Sequence, residues 1–292
     1  MKKVKLLYNP KAGNDKISFK LDLIFEKYQN AGYIVHPYRL DKNLDLNFVF
    51  EDIDTFDHIL IAGGDGTIDI IINHMQKNNV DIPVGILPTG TANDFAKMLE
   101  MPLKLDLALD KILNSDVSAI DLGKINDQYF INIAAIGMFT DVSQKTNIKL
   151  KGSLGKLAYI LKGLEDAVNP KSHYIEIESN EFSYSGEVYL VIVLNGKTAG
   201  NINLSSNSCV LDGLLDVIVV KPISSIKELP SIIDIIKGAN TQNYPGIIRF
   251  KTKEISLNGD KIITSDIDGE KGPDLPIYIK CENKKLKIKG LF

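Results

Sequence analysis

The spacing of apolar positions changes character once along the chain. Up to residue 120, short apolar runs alternate with stretches of helical period, the signature of a βαβ series. Val4–Tyr8 reads as the first strand. Phe19–Ala31 follows as a helix with Leu21, Ile24, Phe25 and Tyr28 at helical spacing and Gly32 closing it. Ile34–Leu40, His58–Ala62 and Val84–Leu87 are further strands, and Ile68–Met75 and Leu105–Leu113 fall in helices. Beyond Asp121 alternating strands dominate: Tyr129–Ala134, Tyr174–Glu178, Val188–Leu194, Leu215–Val220, Ile248–Leu257, Ile277–Lys280 and Leu286–Ile288. One helix interrupts them, with Leu154, Leu157, Ala158, Leu161, Leu164 and Val168 on one stripe. The pattern predicts an α/β N-terminal domain over 1–120 with an open, largely parallel sheet. An antiparallel β-sandwich C-terminal domain follows over 121–292, its final strands free to return toward the first domain. There is no internal repeat and no low-complexity segment.

In open α/β sheets ligands bind at the carboxyl ends of the strands, so the strand exits carry the candidate chemistry. His58–Ala62 runs into Gly63-Gly64-Asp65-Gly66-Thr67. Three glycines within four residues allow positive φ and close approach to a ligand, and Thr67 is placed to cap the helix that follows. Amides at a helix N-terminus suit a phosphate, and Asp65 would manage the accompanying cation. Asp-Gly also favours a hairpin turn, but the unbroken apolar run through Met75 argues for a helix. Val84–Leu87 exits into Pro88-Thr89-Gly90-Thr91-Ala92-Asn93-Asp94-Phe95-Ala96, and the first strand exits into Asn9-Pro10-Lys11-Ala12-Gly13. Taken singly, these two are an ordinary capping sequence and an Asn-Pro turn.

Composition removes several functions. A net charge of −3, no Trp, and only Arg39 and Arg249 as arginines leave no footprint for nucleic acid. Cys209 and Cys281 lack CxxC spacing, which argues against zinc or a disulfide framework and suits a reducing cytosol. Lys2, Lys3 and Lys5 precede an apolar run too short for a signal peptide, and no window has the length of a transmembrane helix. A cytoplasmic protein is expected, one that would meet any lipid peripherally at the membrane. Lys145, Lys149, Lys151, Lys156 and Lys162 surround the predicted 154–168 helix and could touch an anionic bilayer, although a solvated face is the plainer reading. Neither Gly-x-x-x-x-Gly-Lys-Ser/Thr nor Gly-x-Gly-x-x-Gly occurs, so any phosphate site is of another type.

Gly-Gly-Asp-Gly-Thr followed, a helix and a strand later, by Pro-x-Gly-Thr-x-Asn-Asp-Phe-Ala resembles the catalytic domain of the diacylglycerol kinase family, nearest its bacterial soluble lipid kinases. The resemblance covers nearly the whole chain. It implies an ATP- and Mg²⁺-dependent kinase that phosphorylates the hydroxyl of a lipid, diacylglycerol or a relative, at the membrane surface. Nucleotide contacts are implied at Asn9, Gly13, Gly63, Gly64, Asp65, Gly66, Thr67, Thr89, Gly90, Thr91 and Asn93, with Asp65 and Asp94 as catalytic carboxylates. Ile267-Asp268-Gly269-Glu270 resembles the family's base motif, which implies Glu270 as proton acceptor. Leu211-Asp212-Gly213-Leu214-Leu215-Asp216-Val217 implies a structural Mg²⁺ on the Asp212 carboxylate and the Leu214 carbonyl, with a metal-free Asp-Gly turn as the alternative.

The chain departs from the family pattern at two places. Asp69-Ile70 and Asn73-His74 replace the usual Asn-Glu and Asn-Gly, and Gly196–Ile202 lacks the expected glycine run. An NAD kinase shares the Gly-Gly-Asp-Gly loop and is the second reading, against which Thr91–Phe95 stands. A catalytically weak nucleotide- or lipid-binding protein is the third. Oligomeric state is open, a homodimer among the options.

Overall fold

The computed structural model describes residues 1–13, 17–41, 45–137, 171–196, 198–199, 202–203, 209–222, 245–259 and 263–291. They form two compact units, Met1–Ile120 with Lys284–Phe292, and Asp121–Asn283.

In the first unit the order is β1 (Lys2–Tyr8), α1 (Leu21–Asn30), β2 (Tyr33–Arg39), α2 (Leu46–Phe50), β3 (His58–Gly63), α3 (Asp65–Lys77), β4 (Val84–Pro88), α4 (Asp94–Met98) and α5 (Leu105–Asn114). The strands pair in parallel in the order β2-β1-β3-β4, with Val4 opposite His58 and Ile59 opposite Val84. Val4, Leu6, Leu7, Ile59, Leu60 and Ile61 have no exposed surface, as continuous apolar runs do in a sheet covered on both faces. Pro37 lies in β2, an edge strand, where a missing N–H costs no ladder bond. The predicted 19–31 helix begins later, because Ile17–Lys20 forms a 3₁₀ turn that leaves Phe19 exposed. At its end Gly32 takes φ +82° and donates to the Gln29 carbonyl.

One strand carries a buried charge. Lys5 is fully enclosed, and its ammonium donates to the Val49 carbonyl, pairs with Asp52 and lies 4.4 Å from the Phe56 ring centroid. Those contacts replace the water that burial removed.

The second unit contains β5 (Val117–Ile125), which enters from the first, then β6 (Gln128–Phe130), β7 (Ile133–Gly137), β8 (His173–Glu178), β9 (Ser183–Val188) and β10 (Leu190–Leu194). The short pair β11 (Thr198–Ala199) and β12 (Ile202–Asn203) follows, then β13 (Leu215–Val220), β14 (Ile247–Thr252), β15 (Glu254–Gly259), β16 (Thr264–Ile267), β17 (Glu270–Asp274) and β18 (Ile277–Lys289). One antiparallel sheet has the order β14-β13-β10-β7-β16-β17. Facing it are β18, β15, β8 and β9, with β5 and β6 attached. Phe130, Ile136, Ile175, Val191, Val217, Ile255 and Leu257 from both layers share one core, which is a sandwich.

Three runs that read as single strands are each two. Tyr129–Ala134 bends at Ile131 and Asn132 between β6 and β7, Val188–Leu194 breaks at Tyr189 between β9 and β10, and Ile248–Leu257 breaks at Lys253 between β14 and β15. In each case the chain passes from one sheet to the other, so it turns a sandwich corner. At the first two corners apolar residues continue on both sides of the bend, whereas the third is marked by the polar run Lys251-Thr252-Lys253-Glu254, of which Lys253 and Glu254 are exposed. The opposite error occurs at the C-terminus. Ile277–Lys280 and Leu286–Ile288 belong to one strand, β18, whose polar middle interrupts the apolar pattern but not the strand. Its end pairs in parallel with β4, Ile288 opposite Val84, within the first unit. The predicted 154–168 helix and its flanking lysines lie outside the described residues.

Candidate active site

In the first unit the sheet order sends the chain from β1 outward to β2 and then across to β3 on the other side. The reversal makes a crevice at the carboxyl ends of β1 and β3, where open α/β sheets bind ligands. Asn9, just past β1, closes it: its amide N–H donates to the Ala62 carbonyl at 2.9 Å, and its side-chain Nδ2 donates to Thr67 Oγ1 at 3.0 Å. Thr67 is therefore not the cap of α3. That helix starts at Asp65 with Gly64 as N-cap, which has no side chain to offer the first-turn amides.

Close approach, not positive φ, accounts for most of the glycines here. Gly63, Gly64 and Gly66 all lie outside the left-handed region. A Cβ on Gly63 would come within 2.6 Å of the Thr67 side chain, and one on Gly90 within 2.3 Å of the Gly64 Cα. A Cβ on Gly64 itself would sit 3.2 Å from the Gly90 Cα. Gly13 does need its φ of +66°, and a Cβ there would strike the Thr89 carbonyl oxygen at 2.3 Å. The three strand exits thus touch backbone to backbone. Gly66 is the exception, for a Cβ there meets nothing within 4 Å.

Asp65 ties two of these loops together. Its Oδ1 accepts the Phe95 N–H at 3.0 Å, in the first turn of α4. Burial pushes the Asp65 carboxyl above its usual range, the Phe95 amide works against that, and the charge of Asp94 adds to it. Asn93 is the left-handed N-cap of α4, and its side chain is spent inside the loop: Oδ1 accepts from Gly90 N at 2.8 Å, and Nδ2 donates to Gly90 O at 3.0 Å. Thr89 Oγ1 is buried without a hydrogen-bond partner. It borders a cavity of about 250 Å³ lined also by Lys20, Gly90, Thr91, Leu103 and Leu105.

Pattern reading missed one part of the site. A cavity of about 450 Å³ opens beside Asn9 and Thr67, lined by Lys11, Arg39, Leu40, Leu46, Ile70 and Ile71. Arg39 and Leu40 stand at the exit of β2, at the same sheet edge as the glycine loops, and that position was the available signal. Ile70 is 60% exposed on a helix that otherwise buries its apolar residues, and its neighbour Asp69 accepts from Asn73 Nδ2 at 2.9 Å. An anion cradle, an unpartnered hydroxyl and an adjoining half-apolar cavity together fit a nucleotide.

In the second unit, Glu270 opens β17 directly after the Asp268-Gly269 turn, and its side chain is exposed. The Asp212 and Leu214 pair does not fit a metal as arranged. Asp212 Oδ2 is bound to the Lys251 ammonium at 2.7 Å, its Oδ1 accepts from the Leu214 N–H at 3.1 Å, and Lys251 also reaches Asp216 at 3.5 Å. The loop is closed by an ammonium group, and no group of three or more His, Cys, Asp or Glu side chains that could hold a metal occurs among the described residues. Within Gly196–Ile202, residues 197, 200 and 201 lie outside the described residues, and Thr198-Ala199 pairs with Ile202-Asn203. Both cysteines are free, and burial pushes the Cys281 thiol up to about 12, in keeping with a small packed side chain. No helix among the described residues is long and apolar enough to cross a membrane.

The family model "Diacylglycerol kinase catalytic domain" matches residues 3–125, and "YegS C-terminal NAD kinase beta sandwich-like domain" matches residues 132–290. A diacylglycerol kinase of Bacillus subtilis is 32% identical over 280 residues, covering 94% of this chain and 92% of that protein. One from Staphylococcus epidermidis is 31% identical over 278 residues, covering 94% of this chain and 88% of the relative. A crystal structure of a diacylglycerol kinase from Bacillus anthracis superposes with a TM-score of 0.82 at 27% identity, covering 99% of this chain and 96% of that one. Two family models that between them span both units, and relatives aligned nearly end to end, lead to one conclusion: the chain belongs to the diacylglycerol kinase family and is a lipid kinase.

Proposed function

We propose that this kinase transfers the γ-phosphoryl group of ATP to the hydroxyl of diacylglycerol or a closely related lipid. The observation that carries the nucleotide half is the junction of the three strand exits, where every glycine but Gly66 is crowded by a neighbouring residue and Gly66 is open to a ligand. Phosphates would lie against the first-turn amides of α3, where the helix dipole is positive. The cavity lined by Arg39, Leu40 and Ile70 would take the base. Asp65 and Asp94 would hold the Mg²⁺ that accompanies the triphosphate. A nearby cation would favour the ionised form of Asp65 that burial disfavours. Phosphoryl transfer relies on positioning and charge neutralisation, which amides and two carboxylates supply, and the acceptor's proton is assigned to Glu270.

The acceptor is inferred from the relatives, which are named diacylglycerol kinases. Leu103 is exposed and lines a cavity together with Lys20, next in the chain to exposed Phe19, and apolar and basic groups of this kind suit a bilayer surface. The test offers purified protein, Mg²⁺ and labelled ATP to mixed micelles of diacylglycerol, sphingoid base, ceramide, phosphatidylglycerol and polyprenol, with NAD as a soluble control. Label in diacylglycerol is expected. Label in NAD and in no lipid would overturn the acceptor assignment, and nucleotide binding without turnover would select a binding protein.

A further inference from the structure

Resting on the assignment of Glu270 as base, we infer that Asp268 is a positioning residue that sets where Glu270 stands by clamping its turn to the β6–β7 corner. β16 and β17 pair with Ile267 opposite Glu270, so Asp268 and Gly269 are the whole turn. Their φ angles are 44° and 85°, the two successive positive values of a tight type I′ hairpin. Such a turn needs only Asn or Asp followed by Gly. Asp268 does much more than the turn requires.

Its Oδ2 accepts the Ile131 N–H at 2.7 Å, and its Oδ1 accepts those of Asn132 at 3.0 Å and Ile133 at 2.9 Å. Its own N–H donates to the Ile133 carbonyl at 2.9 Å. Ile131–Ile133 is the sandwich corner at which the chain leaves one sheet for the other, so its amides lose their ladder partners there. One carboxylate takes all three. The neighbouring amide side chains do not share that role, since Asn195 Nδ2 serves the carbonyls of Asp121 and Ile131, and the Oδ1 atoms of Asn132 and Asn195 are buried without partners. The corner and the turn therefore hold each other through Asp268.

Glu270 needs that support. It is exposed, on β17, the last strand of its sheet among the described residues, and directly follows the turn. Its backbone is anchored on one side by β16 and, through the turn, by the clamp. Releasing the clamp would shift the backbone that carries the carboxylate, and displacement of a catalytic group by about 1 Å costs roughly 100-fold in rate.

The test is a cycle of Asp268→Asn, Gly269→Ala and Glu270→Gln in the full-length protein. Rates are taken per ATP-binding site titrated in the same sample, so loss of folded protein is not read as loss of turnover. In Asp268→Asn the new side chain tolerates the positive φ, but it removes the negative charge that three amides share and turns an NH₂ toward one of them. Gly269→Ala strains the turn and leaves the carboxylate alone. Each should leave ATP affinity unchanged and lower kcat roughly 10- to 100-fold. Neither should slow an enzyme that already carries Glu270→Gln, because a residue that acts through Glu270 has nothing left to position. Slowing that multiplies with Glu270→Gln, or a wild-type rate in both turn variants when Glu270→Gln is inactive, overturns the positioning role alone. A wild-type rate in Glu270→Gln overturns the base assignment and the proposal with it.

Discussion

Gly66→Ala separates the two reasons a glycine can stand in a phosphate loop. Gly66 lies in the first turn of α3, outside the left-handed region, and a Cβ there meets nothing within 4 Å. Folding alone should favour alanine, since glycine in a helix costs about 0.5–1 kcal/mol relative to it. That gain corresponds to a rise of roughly 2–4 °C in Tm for a unit of this size. If a phosphate lies against the first-turn amides, the methyl group holds it away from them. Losing one hydrogen bond to a charged group costs about 1.5–3 kcal/mol, or roughly 10- to 100-fold in Kd. The variant should therefore melt higher without nucleotide and bind ATP more weakly. Calorimetry with and without ATP, and titration of ATP by isothermal calorimetry, measure both numbers on one preparation. Wild-type ATP affinity in Gly66→Ala would show that the open space is not where phosphate sits. A lower Tm would show that the glycine is there for a structural reason.

Gly90→Ala should behave in the opposite way, because its Cβ would lie 2.3 Å from the Gly64 Cα and 2.9 Å from Asn93 Oδ1. The loops must part, at about 1–3 kcal/mol, so both Tm and ATP affinity should fall. His58 is buried against the Tyr28 hydroxyl at 3.0 Å, and burial, aided by the Lys289 charge, pushes it down to about 4. Its unfolded value is near 6.5, so the unfolded chain takes the proton first. Stability should be full above pH 6.5 and fall by up to about 3 kcal/mol as pH drops toward 4; denaturant titrations across that range should show the slope, and His58→Gln should flatten it. Lys251→Met should leave Asp212 and Asp216 without their ammonium partner and cost about 1 kcal/mol at this half-exposed site. Mg²⁺ without nucleotide should then raise the Tm of the variant and not of the wild type, and a Mg²⁺-dependent rise in the wild type would refute the ammonium closure.

Much of the first unit was legible because local physics and tertiary context agree there. Unbroken apolar runs such as Ile59–Ala62 belong to strands covered on both faces, and the helical spacing in 21–28 belongs to a helix packed on one stripe. Gly32 ended its helix as written, since only a residue at ease with φ +82° does so cheaply. The glycine loops were visible as motifs, but their reason was not. Gly63 and Gly90 are small because Thr67 and Gly64 crowd them, and the second of these contacts joins residues that a helix and a strand separate in the chain, which no local propensity encodes. Thr67 looked like a cap, yet its hydroxyl bonds to Asn9, which only the pairing of β1 with β3 brings near.

The second unit shows the limit more sharply. A strand that turns a sandwich corner can stay apolar on both sides of the bend, so the breaks at Ile131-Asn132 and Tyr189 leave little trace in a pattern that records burial and not direction, whereas the break at Lys253 falls in the polar run Lys251–Glu254. The same holds for Asp268. Asp268-Gly269 announces a turn by itself, because two positive φ angles select those residues. That its carboxylate receives three amides from the distant β6–β7 corner depends on β16 pairing with β7. Residue type and period determined which elements form and where chemistry could be held. Strand order, corners and backbone-to-backbone contacts decided which of those groups meet, because they arise from packing between segments that the chain order leaves far apart.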